Sequence, residues 1–188
     1  MKKIINPLPL FIFMFCVFLE GNFSLNAEER GLDIFAGEKW AFYPGYEFPG
    51  AKGNRRLGTT EDGKNALFVN YDFAGGGIYV VAGLKMEITE GSKGFWLDVK
   101  ADRSLKVMIR IEDSSNQTHQ YSIDYDMTEG WQTIKIDLTE IRSKGFWGGP
   151  KDGVIHFPIT KIWLGVEKSK TTRDTEGEVA FSNARIVN

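Results

Sequence analysis

The sequence predicts an all-β chain: two antiparallel sheets packed face to face as a jelly-roll β-sandwich. Three observations carry this. Apolar residues recur at every second position in run after run, which puts one side of each segment on a core. Turns rich in glycine, proline and aspartate separate the runs at sandwich-like intervals. Helical periodicity, internal repeats and linkers are all missing, so the 188 residues read as a leader followed by one domain.

Residues 1–27 read as the leader. Lys2 and Lys3 precede an apolar run from Leu10 to Leu19, and Leu25-Asn26-Ala27 offers a small-residue cleavage site before Glu28. The run is too short to span a bilayer, which takes about 20 apolar residues. Phe15 is too bulky for lipoprotein processing at Cys16. The expectation is an exported bacterial protein, secreted or periplasmic, whose mature domain is 28–188 and does not sit in the membrane. Cleavage removes Cys16, the sole cysteine, so disulfide staples and cysteine nucleophiles are excluded from the mature domain. A domain of this length can bury roughly 70% of its unfolded surface, enough for one unstapled core. The net charge of −2 comes without a basic block, which argues against nucleic acid and anionic membranes as partners.

Along the domain, a first strand is expected within residues 33–42, paired with the last. Strands follow at 66–73 and 78–84. Residues 95–101 alternate Phe95, Leu97, Val99 and Ala101 against Trp96, Asp98 and Lys100. Residues 105–112 alternate Leu105, Val107, Ile109 and Ile111 against Lys106, Met108, Arg110 and Glu112. After the turn at 113–117, His119, Tyr121, Ile123 and Tyr125 oppose Gln120, Ser122, Asp124 and Asp126. Further strands are expected at 131–138, 160–167 and 178–187, with one helical turn at 139–144. Gly75-Gly76-Gly77 reads as a hairpin turn rather than a phosphate loop.

Two tracts interrupt this pattern, residues 42–53 and 146–158, both dense in proline, glycine and aromatic rings. Such segments cannot hold their rings on a helix stripe or a plain strand face. Rings held in turns serve either to plug a sandwich end or to stack on an external ligand, and sugars are the leading ligand class. The first tract is expected to be a plug. The second places Trp147 and His156 at a binding rim.

No catalytic set is legible. The two histidines, His119 and His156, belong to no zinc-binding helix motif, and no serine elbow or phosphate loop is present. Gln117-Thr118-His119 has the Gln-x-His form found in some jelly-roll polysaccharide lyases, but His119 falls on the core parity of its strand. Asp124 and Asp126 would lie about 7 Å apart on one strand face, whereas glycosidase carboxylates flank the bond they cleave. The domain is therefore expected to bind rather than to catalyse. The non-core parity offers the candidate face: Trp96, Asp98, Arg110, Gln120, Asp124 and Trp163. Rings that stack on the C–H face of a pyranose stand there beside planar polar groups that can pair with adjacent hydroxyls.

The tracts 43–53, 70–77, 110–117, 130–131, 147–158 and 179–186 together resemble the carbohydrate-binding modules of the galactose-binding-domain-like fold. The resemblance is to the family 11 type and to the related complex I intermediate-associated protein 30-like domains. It implies a sandwich whose concave sheet face or rim loops bind polysaccharide or oligosaccharide, β-glucans or similar plant-type glycans, with no required cofactor but often a structural calcium. It implies site positions Trp96, Asp98, Arg110, Gln120, Asp124 and Trp163, with Trp147, His156 and Tyr79 at the rim. Ser182-Asn183 stands where an aspartate pair is common, which weakens a carboxylate-rich calcium site. Such modules usually accompany a catalytic domain, here absent, so a separate glycoside hydrolase or an envelope protein is the expected partner. The alternatives are an envelope protein-interaction or assembly module and a polysaccharide lyase.

Overall fold

The computed structural model describes residues 28–37, 39–139, 145–169 and 175–188. The expected leader lies outside these residues, as does the helical turn at 139–144 apart from Thr139. Among the described residues, twelve strands form two six-stranded sheets. They are β1 (Glu29–Leu32), β2 (Ala41–Tyr43), β3 (Lys52–Thr59), β4 (Asn65–Asp72), β5 (Tyr79–Ile88) and β6 (Gly94–Ala101). They continue as β7 (Leu105–Asp113), β8 (Gln117–Tyr125), β9 (Gln132–Asp137), β10 (Gly145–Gly148), β11 (Ile159–Glu167) and β12 (Glu176–Val187).

One sheet runs β3-β4-β12-β6-β9 with β1 also on β12, and the other runs β10-β8-β7-β11-β5-β2. Every pairing is antiparallel. This is the predicted all-β sandwich. Strand β12 pairs with β4 through Ser182 and with β1 from Ala184 onward. Asn183 sits at that handover with φ 49°, inside a register shift against β6. Asparagine tolerates this left-handed backbone better than most residues do.

The alternation read from the sequence sets the core. Leu97, Val99, Val107, Ile109, Leu164, Val179 and Phe181 are fully buried between the sheets. His119 shares that parity and is 1% exposed. Trp40 is buried, stacks on Phe35 with ring centroids 5.8 Å apart, and donates its Nε1–H to the Ile34 carbonyl at 3.0 Å. A buried tryptophan needs such a partner for its one polar atom.

Three expectations about strands change. The N-terminal partner of β12 is Glu29–Leu32, and residues 33–37 turn away. Phe42 belongs to β2, which pairs with β5 in the other sheet. Strands β3 and β10 had no counterpart in the sequence reading. Both are edge strands with mostly exposed side chains, so they carry no apolar alternation to detect.

Candidate functional site

The outward face of the sheet β10-β8-β7-β11-β5-β2 is built by register. Arg110 of β7 stands between Gln120 of β8 and Trp163 of β11, and Trp163 faces Gly83 of β5. Met108 stands between Ser122 and Gly165. At the edges, Trp147 of β10 pairs with Thr118, and Tyr43 of β2 pairs with Val81. Because strand side chains alternate, every one of these points away from the core.

A cleft of about 630 Å³ lies on this face, lined by Glu47, Phe48, Tyr79, Arg110, Gln120 and Trp147 among others. An adjoining space of about 290 Å³ shares Glu47, Tyr79, Arg110 and Trp147, and extends to Tyr43 and Trp163. Arg110 is the centre. Its guanidinium carbon lies 4.2 Å from the Tyr79 ring centroid and 5.1 Å from that of Trp147. Its Nε–H donates to Gln120 Oε1 at 2.8 Å. Flanking rings and a hydrogen bond fix the planar group in one orientation.

Glu47 joins the loop after β2 to the wall. Its carboxylate accepts the Tyr43 hydroxyl at 2.8 Å and, through its other oxygen, the Tyr79 hydroxyl. Burial alone would push the Glu47 carboxyl up. The tyrosine hydroxyls, a backbone N–H and the nearby Arg110 charge outweigh it and hold the group below the usual range. Burial and the bond to Glu47 push the Tyr79 phenol up to about 12, so it stays a neutral donor.

The predicted site residues divide. Tyr79, Arg110, Gln120, Trp147 and Trp163 come together around the cleft. Asp124 is on the same sheet but stands beyond the cleft lining, paired with Lys106. Trp96 and Asp98 are not on this sheet. They occupy the outward face of β6, which pairs with β12 and β9. There Lys135 Nζ lies 4.1 Å from the Trp96 ring, and Asp98 accepts from Thr133 (2.7 Å), Asn183 (2.7 Å) and Arg185 (3.0 Å). Parity separates inward from outward but is silent on which sheet a strand joins, and the expectation failed there.

His156 also stands apart from the cleft lining. Its Nε2 is 3.0 Å from Asp152, and its backbone N–H donates to Asp113 at 3.0 Å. Gln117 and His119 are buried on the core side, so the Gln-x-His element turns away from the cleft. The first aromatic tract does more than plug the sandwich end. Phe42 packs on the core, while Tyr43, Glu47 and Phe48 line the cleft. The signal in the sequence is its run of rings in turns, which strand parity does not capture. Gly83 is a further contributor that alternation does not mark. A Cβ there would overlap the Trp163 ring, so the bare position is what lets the indole lie against the sheet.

Among the described residues, no group of three or more His, Cys, Asp or Glu side chains could hold a metal ion. The calcium implied by the resemblance therefore finds no carboxylate cluster there. Nor is any helix among them long and apolar enough to cross a membrane.

No protein-family model matches the chain, and no curated protein does. Solved structures do. The family 11 carbohydrate-binding module of a cellulosomal cellulase of Clostridium thermocellum superposes with a TM-score of 0.64 at 21% identity, covering 86% of this chain and 95% of that one. A family 11 module from the same organism, in complex with a β-1,3-1,4-mixed-linked tetrasaccharide, gives 0.62 at 20% identity, covering 85% and 95%. The chain shares the jelly-roll sandwich fold of family 11 carbohydrate-binding modules.

Proposed function

We propose that this protein is an exported, non-catalytic glycan-binding module, with residues 1–27 as its export signal and the Arg110 cleft as its site. The observation that carries the reading is the cleft itself: Tyr79, Trp147 and Trp163 surround a fixed Arg110–Gln120 pair on an open sheet face. Sugars present an apolar C–H face and paired hydroxyls, and this lining answers both. The polar fringe of Glu47, Gln120 and Glu167 favours a saccharide over an apolar protein partner. The family 11 modules that share the fold support the same ligand class. A separate glycoside hydrolase is the partner whose substrate such a module would hold.

Binding of about micromolar to millimolar strength is expected, roughly −8 to −4 kcal/mol. Affinity electrophoresis through gels containing mixed-linked β-glucan, hydroxyethylcellulose, xylan or galactomannan tests the reading. Wild type should be retarded in at least one gel and Trp163→Ala should run free. Free migration of wild type in every gel would sink the idea. Lys161, whose Nζ is 4.1 Å from the Trp163 ring, is no obstacle. An exposed cation–π contact is worth about 0.5–1 kcal/mol, and a lysine moves aside easily.

A further inference from the structure

The opposite sheet carries a second ring set for stacking. Trp131 stands just before β9 and is 38% exposed. Its backbone is anchored on both sides. The Tyr125 hydroxyl donates to the Gly130 carbonyl at 2.8 Å, and Gln132 Nε2 donates to the Asp126 carbonyl at 2.7 Å. The described residues give the indole itself no hydrogen bond and no ring partner. Two grooves of about 280 and 260 Å³ meet at Trp131 and Thr60, between the turn at 60–64 and the outward face of β4, β12 and β6. Phe68 and Ala180 line the floor, with the Arg56 guanidinium stacked 3.7 Å from the Phe68 ring centroid.

The charges beside these grooves are all matched. Arg56 pairs with Glu178 at 2.9 Å, Lys64 with Asp62 at 2.9 Å, Lys100 with Glu61 at 3.3 Å and Arg103 with Asp102 at 2.9 Å. A polyanion would have to break such pairs before gaining any, so nucleic acid, acidic glycan and anionic lipid fit badly. Glu178 is held on one oxygen by Arg56 and on the other by Asn70 at 3.0 Å, which orients its remaining lone pairs. An exposed indole on an anchored backbone, an apolar floor, oriented acceptors and no net field fit one ligand class, an uncharged ring bearing several hydroxyls.

We propose that this groove is a second saccharide site, with Trp131 as its stacking platform, on the face opposite the Arg110 cleft. It rests on the same saccharide reading but uses different residues and a different sheet. One molecule could then hold two glycan chains, or two stretches of one chain, and gain avidity without any new contact.

The five tryptophans allow both sites to be read in one experiment. The indole N–H signals of uniformly 15N-labelled wild type are followed during titration with cellotetraose, xylotetraose, mannotetraose and laminaritetraose, each to about 10 mM so that millimolar binding registers. The expected result is movement of the Trp147 and Trp163 signals together with a separate saturating movement of Trp131. In Trp131→Ala the cleft signals should titrate within about twofold of wild type, as distant sites do. Movement of Trp147 and Trp163 with a still Trp131 overturns the second site alone. Movement of Trp131 alone supports it and overturns the cleft, and a panel that moves none overturns both. Tetragalacturonate, a polyanion, should leave Trp131 unmoved; a shift there overturns the charge argument and the proposal with it.

Discussion

At the scale of single residues, the cleft depends on one side chain that is missing. Gly83 faces Trp163 across β5 and β11, and any Cβ at that position would overlap the indole. The ring is partly exposed, so in Gly83→Ala it can swing outward rather than force the strands apart. Gly83 is buried, so stability should fall by about 1–3 kcal/mol, the ordinary cost of overpacking. Saccharide affinity should fall about tenfold, the loss of roughly 1.4 kcal/mol of stacking. Calorimetric titration beside a thermal melt checks this; unchanged affinity would mean that the flat indole is not used. The sequence does contain the clue, since an interior strand glycine marks a close approach, but it cannot say that a tryptophan from a strand some 80 residues away is what approaches.

At the scale of elements, Asp113 ties the β7–β8 turn to the chain after β10. Its carboxylate accepts the N–H groups of Ser115 (2.9 Å), Gln117 (3.1 Å) and His156 (3.0 Å) and the Ser115 hydroxyl (2.6 Å). Gln117 extends the tie, donating to Asp152 Oδ1 at 3.1 Å and to the Val154 carbonyl at 2.8 Å. Burial pushes the Asp113 carboxyl up, but these donors outweigh it and hold the group below the usual range. A depressed value means that stability is contributed above the unfolded value of about 3.9 and lost as pH falls through the folded one. Asp113→Asn would turn an amide N–H toward the His156 N–H or the Ser115 and Gln117 donors. It should cost about 1–3 kcal/mol at neutral pH. The gap to wild type should shrink in acid, and urea unfolding at pH 7 and near pH 3 measures it. A gap independent of pH would refute the charged role.

The same element shows where sequence reading stops. His119 was placed on the core side by parity alone, and it is buried 3.5 Å from Asp113. Parity also gave the outward faces of β6, β7, β8 and β11 correctly. It could not give sheet membership, because Trp96 and Trp163 satisfy the same alternation while one belongs beside β9 and the other beside β5. Nor could it reveal β3 or β10. Solvent on most of an edge strand removes the apolar selection that makes a strand visible. Sheet order is a property of long-range pairing, which local pattern does not encode.

At the scale of the whole molecule, both faces stand on one core. Phe181 of β12 is fully buried between the sheets. Phe181→Ala should cost about 3–5 kcal/mol, a large share of the roughly 5–15 kcal/mol that holds a domain folded. Chemical denaturation followed by near-ultraviolet circular dichroism should show one lowered, still single transition. Two separated transitions would show that the sheets come apart independently and that the core is not shared.

The walls of the Arg110 cleft are the outermost strands of their sheet, with Trp147 on β10 and Tyr43 on β2. Their rings reach inward over the sheet, meeting the Arg110 guanidinium (5.1 Å from Trp147) and the Tyr79 ring (6.3 Å from Tyr43), so the walls stand closer than the strands that carry them. On these border strands the outward side chains Trp147 and Tyr43 do not enter the core, whereas Phe42 does, so only the outward positions can be exchanged without disturbing the packing between sheets. The lining of the cleft can therefore be altered at those positions while the fold beneath stays fixed. Substitutions at Trp147 and Tyr43 are where the shape of the cleft would change with least cost to the core.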